Sequence, residues 1–227
     1  MNKPHKPAFP EMLEALASEN LPHLSKLGRR ERRAAETRVR LFRSAMRLFA
    51  QRGFQNVTVE DITQAADVGK GTFFNYFESK DQVLGVMAEI QLGKVRAVLE
   101  EAEAGKQPVR SVLRGLFQRV SEEPGRSPEM TRALISTFLA SDQIRSMMAA
   151  NLAEGRRMVA RVLQLGQQRG EVASTLKPEQ LARQCQQSVI GTLLFWSLRG
   201  DEKLETRLEE SFQHFWRAVT LSKEASR

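Results

Sequence analysis

Apolar residues recur along much of this chain at spacings of three and four, the repeat that gathers side chains on one face of an α-helix. Val39, Phe42, Met46 and Phe49 set the pattern first. They predict a helix over Arg30–Arg52, closed by Gly53, with Phe54 packing just after the stop. Thr58 is placed to cap a short helix over Val59–Ala66 by accepting from the N–H of Glu60 or Asp61, and both acids suit its first turn. Asp67, Val68 and Gly69 then form a tight break before a third short helix, Lys70–Phe77. Ser79, Lys80 and Asp81 mark a further cap, and a long helix runs from about Asp81 to Ala104. Five more helices are predicted over Val109–Glu122, Pro128–Ala140, Asp142–Arg169, Pro178–Arg199 and Asp201–Ser222, with Gly- and Pro-containing breaks between them. In the last of these, Leu204, Leu208, Phe212, Phe215 and Val219 make a narrow seam suited to lying along a partner helix.

No run of period two and no Asn-Gly or Asp-Gly turn interrupts this pattern, so the expected fold class is all-α. Three segments are expected. An N-terminal extension, 1–29, is broken by Pro4, Pro7, Pro10 and Pro22, with a short helix over Pro10–Ser18. A three-helix unit, 30–80, follows, and then a helical domain, 81–227.

Composition narrows the function classes. Of 227 residues, 41% are hydrophobic, enough for a buried core. The most apolar stretch, Val189–Leu198, falls well short of the roughly 20 residues a spanning helix needs, and no signal peptide is evident. A cytoplasmic protein without a membrane role is expected. The single cysteine, Cys185, has no partner for an internal disulfide and sits in an apolar helical context, which points to an inert buried thiol. His5, His23 and His214 are scattered, and no Cys/His spacing fits zinc. No glycine-rich phosphate loop and no serine elbow is present. No metal, no cofactor and no catalytic residue is therefore expected.

Candidate chemistry concentrates in Val57–Lys80, VTVEDITQAADVGKGTFFNYFESK. Two short helices joined by a tight turn make a helix-turn-helix. Ile62 and Ala65 or Ala66 supply contacts where the helices cross, Val68 fills the turn, and Phe73 and Phe77 pack the second helix inward. Lys70, Thr72, Asn75 and Tyr76 are left mostly outward, suited to a groove edge and its phosphates. Gly71 is costly in a helix, by about 1 kcal/mol against alanine, and its place there suits a close approach of backbone to DNA. The N-terminus of the second helix also offers unpaired N–H groups to a phosphate.

Across about Arg38–Met87 the chain resembles the tetracycline-repressor-like (TetR/AcrR) family of bacterial transcription regulators. The resemblance rests on the first helix ending in AQRGF, the helix start TVEDIT, the turn ADVGKGTFFNYF and the opening SKDQVL. It implies an N-terminal three-helix DNA-binding domain and an all-helical second domain for dimerisation and ligand sensing. Carried over by position, Thr58 touches a phosphate, and Lys70, Gly71 and Thr72 lie at the start of the recognition helix. Asn75 and Tyr76 reach bases or backbone, and Lys80 binds a phosphate. The family usually has tyrosine where this chain has Phe74, so the contact expected there is to a sugar or a thymine methyl. More loosely, the region from Gly166 to Gly191 resembles the family's penultimate-helix region. That likeness implies a four-helix bundle across a two-fold axis, with Ile190, Leu194, Trp196, Phe212, Phe215 and Trp216 as the interface pool.

Phe117, Met130, Phe138, Met147, Met148 and Trp196 either line an apolar effector pocket or are plain core. Lys26, Arg29, Arg30, Arg32 and Arg33 either form an arm that contacts DNA or a solvated helix start. The expected partners are a double-stranded DNA operator, a second copy of the chain and a small apolar or amphipathic effector. The long helix from Asp81 is the natural lever between effector and DNA. The expected product is a ligand-responsive regulator, acting as a repressor and nucleoid-associated when bound to DNA. An architectural or partner-recruiting DNA-binding protein without an effector is the alternative. The formal charge of +8 agrees with a polyanionic partner, because ten Lys or Arg against two acids between Lys26 and Arg52 hold the whole excess.

Overall fold

The computed structural model describes residues 28–122, 124–139, 142–200 and 202–220. The expected helix over Pro10–Ser18 and the arm residue Lys26 lie outside the described residues. Two compact units divide at Ile90 and Gln91, so the first extends ten residues past the expected boundary at 80.

In the first unit, α1 (Arg29–Arg52) buries Val39, Leu41, Phe42, Ala45, Met46, Leu48 and Phe49 on its inner side. Gly53 stops it at φ 76°, a backbone angle that glycine adopts without a Cβ clash. A single 3-10 turn, Phe54–Asn56, follows, and the Phe54 ring sits edge-on to Phe49 at 4.9 Å between centroids. Next come α2 (Val59–Ala65) and α3 (Lys70–Phe74), joined through Asp67 in the left-handed region at φ 51°. Ile62, Ala66, Phe73 and Phe77 close the core, whereas Ala65 is exposed.

The third helix is shorter than the expected Lys70–Phe77. The N–H groups of Tyr76 and Phe77 both bond to the Phe73 carbonyl, each at 2.9 Å, so the last turn tightens and the chain departs. That exit carries the Phe77 ring into the core, 5.4 Å from the ring of Phe73. Helix α4 (Lys80–Ala104) then supplies its residues through Ile90 to this unit.

The second unit holds the remainder of α4 with α5 (Val109–Ser121), α6 (Pro128–Phe138), α7 (Asp142–Gln168), α8 (Pro178–Arg199) and α9 (Leu204–Thr220). Phe117, Leu163, Cys185, Trp196 and Phe212 are buried in one continuous cluster. The rings of Phe117 and Phe212 meet edge to face at 5.3 Å. The seam expected on the last helix is therefore filled by α5 and α8 of the same chain. Gly166 marks a close approach, where an added Cβ would meet Val172 at 2.8 Å and Val109 at 3.2 Å. Beside it, the carboxylate of Glu171 accepts the Val109 N–H at 2.6 Å and caps α5 from 62 residues away. Pro108, the residue before that helix, has no side chain able to do so. Lys177 likewise leads into α8 without a side-chain cap bond, and the structure offers no reason for it.

Candidate nucleic-acid interface

Thr58 holds the entrance of α2 through a reciprocal cap. Its hydroxyl accepts the Asp61 N–H at 3.1 Å and donates to Asp61 Oδ2 at 2.6 Å, while its own N–H donates to the same oxygen at 2.8 Å. Arg52, at the end of α1, adds a contact to Asp61 Oδ1 at 3.1 Å. These donors hold the Asp61 carboxyl below the usual carboxylate range, the Thr58 hydroxyl contributing most. The Thr58 hydroxyl is thus committed within the chain, although the residue itself is exposed.

Across the turn, Lys70, Gly71, Phe74 and Asn75 are exposed, and Thr72 and Tyr76 are half-buried. Phe74 is 50% exposed, an unusual position for a phenylalanine, next to the fully buried Phe73. A Cβ added to Gly71 would meet no atom within 4 Å, so nothing inside the chain requires a glycine there. Of the groups expected to face DNA, Thr58, Lys70, Gly71, Phe74 and Asn75 are thus accessible, and Thr72, Tyr76 and Lys80 are half-buried.

Lys80 points inward. Its ammonium donates to the carbonyls of Phe54 at 2.8 Å and Val57 at 3.0 Å, and it lies 4.4 Å from the centre of the Phe54 ring. Two of its three N–H donors are thus committed to the loop between α1 and α2, where the Phe54 carbonyl also accepts the Val57 N–H at 3.4 Å, and the phosphate contact expected of Lys80 would fall to the third.

Two residues outside the sequence-predicted DNA-binding set bear on this unit. Glu60, in the first turn of α2, forms an ion pair with Lys70, the only cation of the reading head. That partner, through its hydrogen bond first, lowers the Glu60 carboxyl below its ordinary range. Arg38 hides within the basic run of α1. It is buried at 8% exposure, with its guanidinium 5.4 Å from the centre of the Phe77 ring. Burial lowers its pKa, against the opposing influence of Glu89 and Tyr76. A helical-periodicity test finds Arg38, because it falls on the same side as the buried Ala45 and Phe49. No sequence signal pairs Glu60 with Lys70 across the turn.

The charge around the reading head is uneven. Residues 58–78 carry four acids and one lysine. In contrast, the exposed side of α1 presents Arg29, Arg32, Arg33, Arg40, Arg43 and Arg47, with Glu36 among them. At 1.5 Å per residue this basic face is about 27 Å long. The expected arm residues Arg29, Arg30, Arg32 and Arg33 are thus exposed positions of a regular helix, and the basic surface continues well beyond them.

The second unit holds the residues of two other expectations. Phe117 and Trp196 pack in the core, exposed by 1% and 7%. Met130, Phe138, Met147 and Met148 are half-buried. Cavities of about 220 and 380 Å³ open elsewhere, one beside Arg156, Arg157 and Arg161, the other beside Phe195, Arg199 and His214. Of the expected interface pool, Trp196, Phe212, Phe215 and Trp216 are buried within their own chain and have little area left for a partner. Ile190 is exposed and Leu194 half-buried, and the sequence missed their neighbours Phe195 and Leu198, exposed by 60% and 63%.

A short helix pair with a tight turn, backed by a third helix and presenting a polar outer face, defines a helix-turn-helix DNA-binding domain. Comparison with known proteins carries this further. Residues 41–87 match the family described as bacterial regulatory proteins, tetR family. The chain is 30% identical over 154 residues to the probable acrEF/envCD operon repressor of Escherichia coli, covering 63% of this chain and 68% of that protein. It is 36% identical over 93 residues to the HTH-type transcriptional regulator TcmR of Streptomyces glaucescens, covering 41% of each chain. Among solved structures, FadR of Thermus thermophilus, a TetR-family transcriptional repressor in complex with lauroyl-CoA, superposes with a TM-score of 0.53. Its identity is 26%, over 78% of this chain and 92% of that one. The chain belongs to the tetR family of bacterial regulatory proteins and is a DNA-binding transcriptional regulator.

Proposed function

We propose that this regulator is a cytoplasmic repressor, nucleoid-associated when bound, that acts as a homodimer on a palindromic operator and is released by a small apolar or amphipathic effector. The observation that carries the DNA-binding part is the outward surface of Lys70, Gly71, Phe74 and Asn75, whose glycine has no packing role in the chain. Asn75 suits an adenine edge, Phe74 a thymine methyl, and Lys70 a phosphate. Tyr76 and Thr72 border the same surface. Two such surfaces, about 34–36 Å apart, would enter successive major grooves.

The dimer part rests on α8. One side of that helix, with Leu181, Cys185, Val189 and Trp196, faces the chain's own core. Away from that side the first turns expose Arg183, Gln184 and Gln187, whereas the C-terminal half exposes Ile190, Phe195 and Leu198. Large apolar side chains left exposed on neighbouring turns suit an interface, and a second copy of the chain supplies a matching one. The effector part is supported by the half-buried Met130, Phe138, Met147 and Met148, and by the lauroyl-CoA held by the Thermus relative. Because α4 belongs to both units, an effector that favours one of two conformations of the second unit has a continuous helix through which to bias the first.

Selection of bound duplexes from random-sequence DNA tests this reading. A recovered inverted repeat with half-sites about one helical turn apart is expected, and binding by Lys70→Ala/Tyr76→Phe should be weakened while the dimer stays intact. Recovery of no preferred sequence, or wild-type affinity in that double variant, would overturn it.

A further inference from the structure

We propose that Glu60 is an internal competitor for Lys70, and that it sets how far the regulator prefers its operator over non-specific DNA. The proposal rests on the DNA-binding reading above and concerns the same surface.

The reading head has one cation, and its partner in the free protein is a carboxylate. Glu60 and Lys70 lie on different helices and are brought together by the turn between them. Both are largely exposed, the Lys70 side chain by 58% and that of Glu60 by 61%, so the pair lies open on the outward surface. A phosphate that recruits Lys70 must displace Glu60 and leave that carboxylate beside the DNA. The other acid of the same turn cannot relieve it, because Asp61 is already held by Thr58 and Arg52.

The consequence differs between sequences. At the operator, base contacts hold the head in register, and one good bidentate base contact outweighs an exposed ion pair. On non-specific duplex no base contact offsets the exchange, so Lys70 stays with Glu60 and the head contributes no phosphate contact. The exposed arginines of α1 remain to supply the sequence-independent attraction. Attraction and discrimination are thus separated: the basic helix face holds any duplex loosely, and the acid at the head resists closure on the wrong one.

The test is a double-mutant cycle of Glu60→Gln and Lys70→Gln, read on a selected operator duplex and on a scrambled duplex across a salt series. Glu60→Gln should raise scrambled-duplex affinity roughly two- to five-fold, the range expected for freeing one exposed ion pair. It should also steepen the scrambled-duplex log–log salt slope by about 0.9, one added phosphate contact, and leave the operator slope unchanged. In the Lys70→Gln background the same substitution should change neither quantity. An equal gain in both backgrounds would mean that Glu60 acts only by repelling DNA at large, and an unchanged scrambled-duplex slope would mean that Lys70 was never withheld; either result overturns the inference. Thermal melts of each variant keep a folding defect from passing as a binding effect. Wild-type protein that distinguishes no duplex from another removes the DNA-binding reading itself, a result separate from a failed cycle.

Discussion

Lys80 opens α4 by turning its ammonium back over Phe54, 4.4 Å from the ring centre, while donating to the Phe54 and Val57 carbonyls. One side chain thereby joins the start of α4 to the loop that follows α1. Replacing it with methionine keeps the apolar stem and removes the charged bonds. A loss of about 2 kcal/mol is expected, in line with hydrogen bonds from a charged donor. Urea denaturation measures it. The salt slope of operator binding should stay unchanged in the same variant, and a fall of about 0.9 would return Lys80 to the phosphate-binding set.

The Thr58–Asp61 cap makes stability depend on pH. The Asp61 carboxyl is held below its ordinary value, so its contribution is complete above the unfolded-state pKa, near 3.9. It is lost as pH falls below that and through the lower folded-state value. Urea midpoints measured from pH 5 downward should therefore fall less steeply in Asp61→Asn than in the wild type. Thr58→Ala, which removes the cap, should cost about 1 kcal/mol at neutral pH.

Burial separates residues that look equivalent in sequence. Phe212 is fully buried, and Phe212→Ala should cost roughly 3–5 kcal/mol of stability. Phe195 and Leu198 are exposed, so Phe195→Asp/Leu198→Asp should leave helicity intact and shift the protein from dimer to monomer in sedimentation velocity. A stable dimer in that variant would direct attention away from the outer side of α8.

Cys185 is buried at 2% exposure, and burial pushes its thiol pKa up to about 12. At neutral pH it holds its proton and is shielded from reagents. Alkylation by iodoacetamide should be negligible in the native protein and complete in guanidinium. Rapid native labelling would show that the helix opens locally.

Much of the fold is legible as periodicity. The helix α8 has the bounds Pro178–Arg199 in both the sequence pattern and the structure, because proline at its first position and glycine beyond its end are strong local signals. Helix α9 begins at Leu204 rather than Asp201, since the intervening residues carry the Glu202 carbonyl to the indole N–H of Trp196, an attachment no local pattern announces. Cys185 as a buried thiol and Thr58 as a helix cap follow from immediate neighbours alone. Lys80 does not: the carbonyls that hold it lie 23 and 26 residues earlier, and an outward and an inward lysine look identical in sequence.

By itself, then, the sequence determined what depends on near neighbours. That includes the all-helical class, the helix-turn-helix and the basic charge gathered before it, because apolar spacing, capping chemistry and net charge act over one or two turns. Only the tertiary structure decided which of several equally apolar residues are core and which are left for a partner. It also decided which cations are committed inside the chain, and which acid faces the reading-head lysine. Those outcomes depend on contacts between helices far apart in sequence, where the direction of each side chain is set by packing and is not written in the spacing of its neighbours.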